Sequence, residues 1–393
     1  MTVMTVLKHK PDALRGLFGE YAGEIRRNAL PLHNGDIAVE ELAASVDPRL
    51  LRAGFPPEFN DDPMTVNGKP VHMRSFAEFV VAQEELAWAD AGFLLSLPWS
   101  SMSTYLIEVL FDPQERDEFY ATVAHKPRWV FFAVTEPAHG SDPLGMETTL
   151  SADGDSFRLN GTKRYIGNGA RGFVGFVFCR RAGATGPLGI EAVRVRAGAD
   201  GFDAEQLHTI GLRGAGLSEL RFDNVKVTED DIIGRRHSSV RRGFHGAVTT
   251  FDLFRPGVGA MALGIARAAY DYVRGERRNP GPVDAATLES LNDRIHSVRA
   301  LIHGAARSID AGKGNGSLSS AAKVAAVRLA EDSTRTLLRM LGPTARFDHP
   351  LMDKFDRDAR GFEFMEGMSD IQRQRIAQGF LSRRFWPSEE PAP

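Results

Sequence analysis

The chain has 393 residues, 42% hydrophobic and 25% charged, with 48 Lys+Arg against 51 Asp+Glu and a formal net charge of -3. That length holds apolar material for two or three domains, and near-balanced, interspersed charge excludes the basic footprint of a nucleic-acid binder. No apolar run approaches the roughly 18 residues of a membrane span, the first residues lack a signal-like apolar region, and the single Cys179 closes no internal disulfide, so a soluble, cytoplasmic protein is expected.

From Pro11, the spacing of Leu14, Leu17, Phe18, Tyr21 and Ile25 predicts a helix with one buried stripe. Pro56-Pro57 and Asp61-Asp62-Pro63 break the stretch Leu30 to Lys69 into helix fragments and loops. Phe76, Phe79, Val80 and Ala87 restart the helical stripe, and the apolar stretch Ala91 to Val109 reads as a core helix. Residues 1–126 are therefore expected to form an N-terminal helical domain.

The period changes at Trp129 to Val134, a β-branched and aromatic run. Asp153-Gly154 and Asn160-Gly161 favour tight turns, Phe157 and Leu159 alternate with polar neighbours, Gly172 to Cys179 is densely apolar, and Leu220, Phe222, Val225 and Val227 alternate again. An antiparallel β domain is expected over 127–230. Helical spacing then returns in Val258, Met261, Ala262, Ile265 and Ala269, in Leu291, Ile295, Val298 and Ile302, and in Val324, Val327, Leu338 and Leu341, with a break at Gly275 to Pro282. Long helices with short connections predict an up-down helical bundle over 231–386, and residues 387–393 are expected to be a disordered tail. The fold class is thus α+β, multidomain.

Near the C-terminus, Ser369 followed by Gln372 is a capping-box signature for a helix running through Ile371, Ile376 and Phe380. Glu366 stands just ahead of it among Phe362, Phe364, Met365 and Met368. A carboxylate short of water has a raised pKa and suits a general base; the alternative is a first-turn acid complementing the helix dipole. Between Val134 and Asp142, the hydroxyls of Thr135 and Ser141 and the amides around Gly140 suit a flavin edge or a phosphate; the alternative is a self-bonded turn.

Val134-Thr135-Glu136-Pro137-Ala138-His139-Gly140-Ser141-Asp142 closely resembles the T-E-P-x-x-G-S-D stretch of the acyl-CoA dehydrogenase family. Asn160 to Gly169, Gly211-Leu212-Arg213 through Val227, Asp252-Leu253-Phe254-Arg255 with Ala262 to Ala266, and Arg357-Asp358-Ala359 with Glu366-Gly367 and Ile371-Gln372-Arg373 resemble the same family in the same order, from about residue 10 to 385. The resemblance implies a fold of an N-terminal helical domain, a middle β domain and a C-terminal four-helix bundle, and an FAD-dependent dehydrogenase of acyl thioesters, assembled as a homodimer or homotetramer, with no metal. It implies that Glu366 takes the α-proton while the β-hydrogen leaves as hydride to flavin N5, and that the Glu366 N–H helps to stabilise the enolate oxygen. Some family members carry the base at the position of Phe254, so the two sites do not compete here.

The same resemblance assigns FAD contacts to Phe132, Val134, Thr135, Gly140 and Ser141, to Tyr165, Ile166 and Gly167, to Arg277, Arg278, Arg339 and Gly342, and to Met368 and Asp370. It assigns the thioester to Asp252, Phe254, Arg255, Met365 and Gly367. Tyr165 stands where Trp is common, Gly167 replaces a threonine, Met368 replaces a hydroxyl residue, and only Gly342 of a Gly-Gly-x-Gly turn survives in Arg339 to Ala345. Arg277 or Arg278, in a shortened loop, could meet a pyrophosphate, as could Arg339, which could equally be a solvated helix residue. These departures suggest a divergent branch, of an acyl-carrier-linked biosynthetic kind, rather than a housekeeping fatty-acid oxidiser. Bulk at Phe254, Met365 and Met368 points to a short or branched acyl group. Arg235-Arg236 and Arg241-Arg242 could serve the phosphorylated adenosine of CoA or an acidic acyl carrier protein, and the electron acceptor is a flavoprotein or oxygen. The competing readings are a flavin monooxygenase or oxidase of the same fold and a redox-silent protein that binds an acyl carrier.

Overall fold

The computed structural model describes residues 11–100, 102–124, 128–238, 242–382 and 385; the tail expected over 387–393 lies outside the described residues. Helices α1 (Pro11–Arg27), α2 (Ala29–Asn34) and α3 (Val39–Ser45) come first, then the short pair β1 (Thr65–Val66) and β2 (Lys69–Pro70), then α4 (Phe76–Ser96), α5 (Met102–Leu110) and α6 (Pro113–Ala124). Strands β3 (Val130–Ala133), β4 (Thr149–Asp153), β5 (Ser156–Ile166), β6 (Val174–Arg181), β7 (Ile190–Arg196), β8 (Phe202–Gln206) and β9 (Ser218–Val227) follow. The chain closes with α7 (Phe244–Glu276), α8 (Pro282–Asp310), α9 (Gly316–Leu341), α10 (Ala345–Asp348), α11 (Pro350–Gly361) and α12 (Ser369–Leu381). Helices, then strands, then helices is the order that the periodicities predict. By contact the described residues sort into a sheet unit, Gly23–Arg74 with Asp90–Phe251, and a helical unit, which takes in 11–22, Ser75–Ala89 and 252–382.

In the sheet unit the order is β3-β6-β4-β5-β9-β8, with β7 on the other side of β6. β3 pairs with Val174 to Val177 and β4 with Arg180 and Arg181, both in parallel, so the two lie end to end along one edge of β6 with the 134–148 loop between them. The sheet is therefore mixed, although its other pairings are antiparallel as expected. Successive strand residues point to opposite faces. Val130, Phe132, Val174, Phe176 and Phe178 join a core with Leu106, Ile107 and Leu110 of α5, while Phe131, Ala133, Val177 and Cys179 join a second core with Leu220 and Phe222. Each fully buried phenylalanine contributes about 1.5–3 kcal/mol by leaving water.

Two local expectations change. Asp153-Gly154 does turn the β4–β5 hairpin, but Asn160-Gly161 lies inside β5 at a register shift. Gly161 has φ 143°, and a Cβ there would sit 2.6 Å from Thr148 Oγ1, so the glycine marks a bulge pressed on its neighbour strand. The core helix expected over Ala91 to Val109 is two helices, because Pro98 opens a 3-10 turn between α4 and α5. α4 itself breaks at Asp90 (φ -158°, ψ 112°), whose carboxylate accepts the Phe93 N–H at 2.6 Å and caps a new helical start.

In the helical unit α9 packs against α8, α11 and α12. Asp310, ending α8, receives the Phe76 and Ala77 N–H groups at 2.7 and 3.0 Å and so caps α4. Buried Glu84 on α4 accepts from Arg267 of α7 at 2.8 Å and from Arg299 of α8 at 2.6 Å. Removing one partner of such a buried group leaves an uncompensated charge, which fixes how these helices meet.

Candidate active site

The segment 362–368 joins α11 to α12. Phe362 is fully buried and anchors it, whereas Phe364 is 70% exposed and does not shield Glu366 as expected. Glu366 and Gly367 have φ values of 48° and 94°, two left-handed residues in succession that reverse the chain. A Cβ on Gly367 would stand 2.3 Å from Gln372 Nε2, so glycine is required there. The left-handed Glu366 costs about 1–2 kcal/mol and persists only because its surroundings hold it.

Three buried side chains do so. The Glu366 carbonyl accepts from Arg255 Nε at 3.0 Å and from Gln372 Nε2 at 3.2 Å. Ser320 Oγ donates to Gln372 Oε1 at 2.8 Å and orients that amide. Lys323 Nζ donates to the carbonyls of Glu363 and Gly367 at 3.0 and 2.9 Å. α12 starts at Ser369 as the sequence predicts, but the capping box does not form: Met368 is the N-cap, without a side-chain cap bond. The Ser369 N–H and hydroxyl both go to the Glu363 carboxylate, and Gln372 is committed to the loop carbonyl and Ser320.

Glu366 is half-buried as a residue, yet its Oε2 is sealed from water and bonded to nothing. Burial pushes its carboxyl up to about 7, against the opposing pull of Lys323 and Arg255. Burial likewise brings the Lys323 ammonium down to about 8, opposed by Glu363 and Glu366. Burial also lowers Arg255, which Asp252 beside it resists. Asp252 and Arg255, expected at the thioester, have their charges taken up by each other, by the Glu366 carbonyl, and by Arg375, whose Nη2 lies 2.6 and 2.7 Å from the Asp252 oxygens. Phe254 is 2% exposed with its ring 5.9 Å from that of Phe79. Met365, Gly367 and Met368 are half-buried, and exposed Asp370 pairs with Arg373 at 2.6 Å.

In the sheet unit, buried Glu136 fixes the loop after β3. It accepts the N–H groups of Glu147 and Thr148 at 2.6 and 2.9 Å and the Lys163 ammonium at 2.9 Å. Burial works to raise Glu136, but Lys163 and these N–H groups hold it below the usual carboxylate range. Lys163 also reaches the Val134 carbonyl at 2.8 Å, and the Arg164 N–H bonds the Thr135 carbonyl at 2.9 Å. Thr135 is half-buried while Gly140 and Ser141 are exposed. Tyr165 is 58% exposed at φ 63°. The side chains of Phe132, Val134 and Ile166 are buried in the two cores and Gly167 is half-buried, so the first three can offer a ligand only backbone. A large exposed aromatic beside a braced hydroxyl loop fits the planar, hydrogen-bonding ring of a flavin.

At the end of α9 a concave pocket of about 370 Å³ is lined by Arg335, Arg339, Gly342, Arg346 and Arg360. Arg346 and Arg360 pair with Asp356 at 2.8 and 2.9 Å, and Arg335 lies 3.6 Å from Glu331. Arg339 makes no ion pair among the described residues. Arg277 donates to the neighbouring Met340 carbonyl, whereas Arg278 is simply exposed. The basic pairs near residue 240 are largely neutralised: Arg235 pairs with Asp230, Arg236 with Asp112 at 2.8 Å, and Arg242 with Glu191 at 3.1 Å, while Arg241 lies outside the described residues. Glu363, Lys323 and the clamp role of Gln372 escape the sequence reading. Lys323 does leave a trace, because it falls on the helical stripe Ser319, Ala322, Ala326, Val327 and Ala330, all buried.

Two family profiles match the chain: the acyl-CoA dehydrogenase middle domain over residues 131–225 and the acyl-CoA dehydrogenase C-terminal domain over 241–381. The mitochondrial short-chain specific acyl-CoA dehydrogenase of Homo sapiens is 30% identical over 324 residues, 79% of this chain and 77% of that protein. The 3-(aryl)acrylate reductase of Clostridium sporogenes is 28% identical over 315 residues, 77% of this chain and 82% of that protein. The butyryl-CoA dehydrogenase structure from Megasphaera elsdenii shares the fold at a TM-score of 0.81 and 24% identity, covering 94% of this chain and 98% of that one. The class is an FAD-dependent oxidoreductase that dehydrogenates acyl thioesters. The chain belongs to the acyl-CoA dehydrogenase family.

Proposed function

We propose that the protein oxidises a short or branched acyl thioester at Cα–Cβ, with Glu366 as the base that removes the α-proton. The observation that carries this reading is the Glu366 Oε2, shielded from water and unpartnered, on a carboxyl that ionises near neutrality. The Oε2 of a base so placed holds no competing hydrogen bond, and its pKa lies near the operating pH, as suits a general base. The thioester carbonyl gains charge as that proton leaves. The Glu366 backbone N–H, which donates to no backbone carbonyl among the described residues, is the nearby donor suited to receive it.

FAD, when bound, supplies the two-electron acceptor for the hydrogen leaving Cβ, so that a Cα=Cβ bond forms. Thr135, Ser141 and Tyr165 would hold its ring system. The ground for a short acyl chain is the bulk of Phe254 immediately before Arg255 and of Met365 and Met368 beside the base. Whether the thioester is carried by CoA or by an acyl carrier protein is decided by a substrate panel. Glu366→Gln, assayed on both carriers, should lose turnover by about 10²–10⁴-fold while keeping its flavin. Turnover near the parent level would remove Glu366 from the chemistry.

A further inference from the structure

Lys323 is completely buried on α9, where an ammonium is retained only against a large desolvation cost. Both of its hydrogen bonds go to peptide carbonyls, those of Glu363 and Gly367, which bracket Glu366. The left-handed pair Glu366-Gly367 turns the second carbonyl back toward the first. The other charged groups here are accounted for. On α7 Arg255 pairs with Asp252, Arg375 on α12 pairs with the same Asp252, and Glu363 in the loop is committed to Ser369. Glu331, further along α9, lies by Arg335 at 3.6 Å. Lys323 is thus the cation of this cluster that no carboxylate neutralises by direct contact among the described residues.

We propose that Lys323 is the positioning residue of the Glu366 loop: its ammonium draws the Glu363 and Gly367 carbonyls to one point, locking the turn that presents the Glu366 carboxyl, and its charge offsets the cost of ionising that carboxyl away from water. The direction of the Glu366 shift agrees, since Lys323 is the foremost influence opposing burial. The inference rests on the proposed function only in naming Glu366 as the base.

The test uses the full-length, flavin-bound protein with Lys323→Met, Lys323→Gln and Lys323→Arg. The Glu366 carboxyl is titrated directly by carbon NMR of glutamate-labelled protein, its resonance assigned by disappearance in Glu366→Gln, beside the pH profile of flavin reduction by thioester. Met and Gln should raise the midpoint by about one pH unit or more, slowing flavin reduction about tenfold at neutral pH, with Arg restoring both. A folded Met or Gln variant that titrates like the parent overturns the proposal. Should Met fail to fold, Gln, which keeps a donor for the carbonyls without the charge, decides the outcome. The titration needs no substrate. A midpoint that follows Lys323 in a protein that no thioester reduces therefore supports this inference and refutes the proposed function, and an unmoved midpoint in an active enzyme does the reverse.

Discussion

Glu366 carries an acid whose folded pKa, about 7, lies above its ordinary value, and the sign of its effect on stability follows. Being raised, it contributes stability that is fully present below the unfolded pKa and is lost as pH rises through about 7. Glu366→Gln, which cannot ionise, should therefore melt like the parent at acid pH and increasingly above it as pH climbs from about 4.5 to 8. The gap should reach at most about 3.5 kcal/mol, because each pH unit by which folding raises the carboxyl is worth about 1.4 kcal/mol. Melting curves of both proteins across that range check this, and a constant gap would contradict it. Catalysis runs the opposite way, because only the ionised carboxylate accepts a proton: kcat/KM should fall as pH drops through about 7. A second residue-level expectation concerns Phe254, whose replacement by Ala opens space beside Phe79. The ratio of hexanoyl to butyryl thioester turnover should rise by about tenfold, measured as kcat/KM.

The loop between α11 and α12 shows what an element can do that no single residue can. Its two left-handed residues are tolerated because Arg255, Lys323 and Gln372 saturate its carbonyls. Gly367→Ala should cost about 1–3 kcal/mol, since the new Cβ meets both an unfavourable φ and the Gln372 amide. The melting temperature and the loss of activity report it together. This is also where sequence legibility ends. Ser369 marks the start of α12 because hydroxyl residues favour helix beginnings whichever partner they find, but the partner is Glu363, and spacing alone carries no sign of that. Asn160-Gly161 misleads for a related reason. Glycine is needed wherever backbone comes close or leaves the usual φ range, and a turn and a bulge ask for it alike. Phe131 and Phe132, by contrast, are legible as a strand because each face of the sheet has its own core.

Over the whole molecule, the order of elements is written in the period of the apolar residues, from 3.6 to 2 and back, and local spacing suffices to read it. Which strands run parallel is not so written, because it depends on β3 and β4 sharing one edge of β6, a relation between segments far apart in sequence. Lys323 belongs to the same kind of hidden information: a lysine among alanines is visible, while the carbonyls it serves lie 40 and 44 residues downstream. No helix among the described residues is long and apolar enough to cross a membrane. We propose that the protein assembles as the dimer or tetramer that the family resemblance implies, and light scattering should return one of these rather than a monomer. The most direct measurement mixes the flavin-bound protein, without oxygen, NADH or any reductase, with a panel of short acyl thioesters and follows the flavin absorbance. The parent protein should bleach with at least one thioester while Glu366→Gln, its flavin still bound, stays yellow. A parent that stays yellow with every thioester, or a variant that bleaches as fast, would contradict a base-initiated oxidation at Glu366.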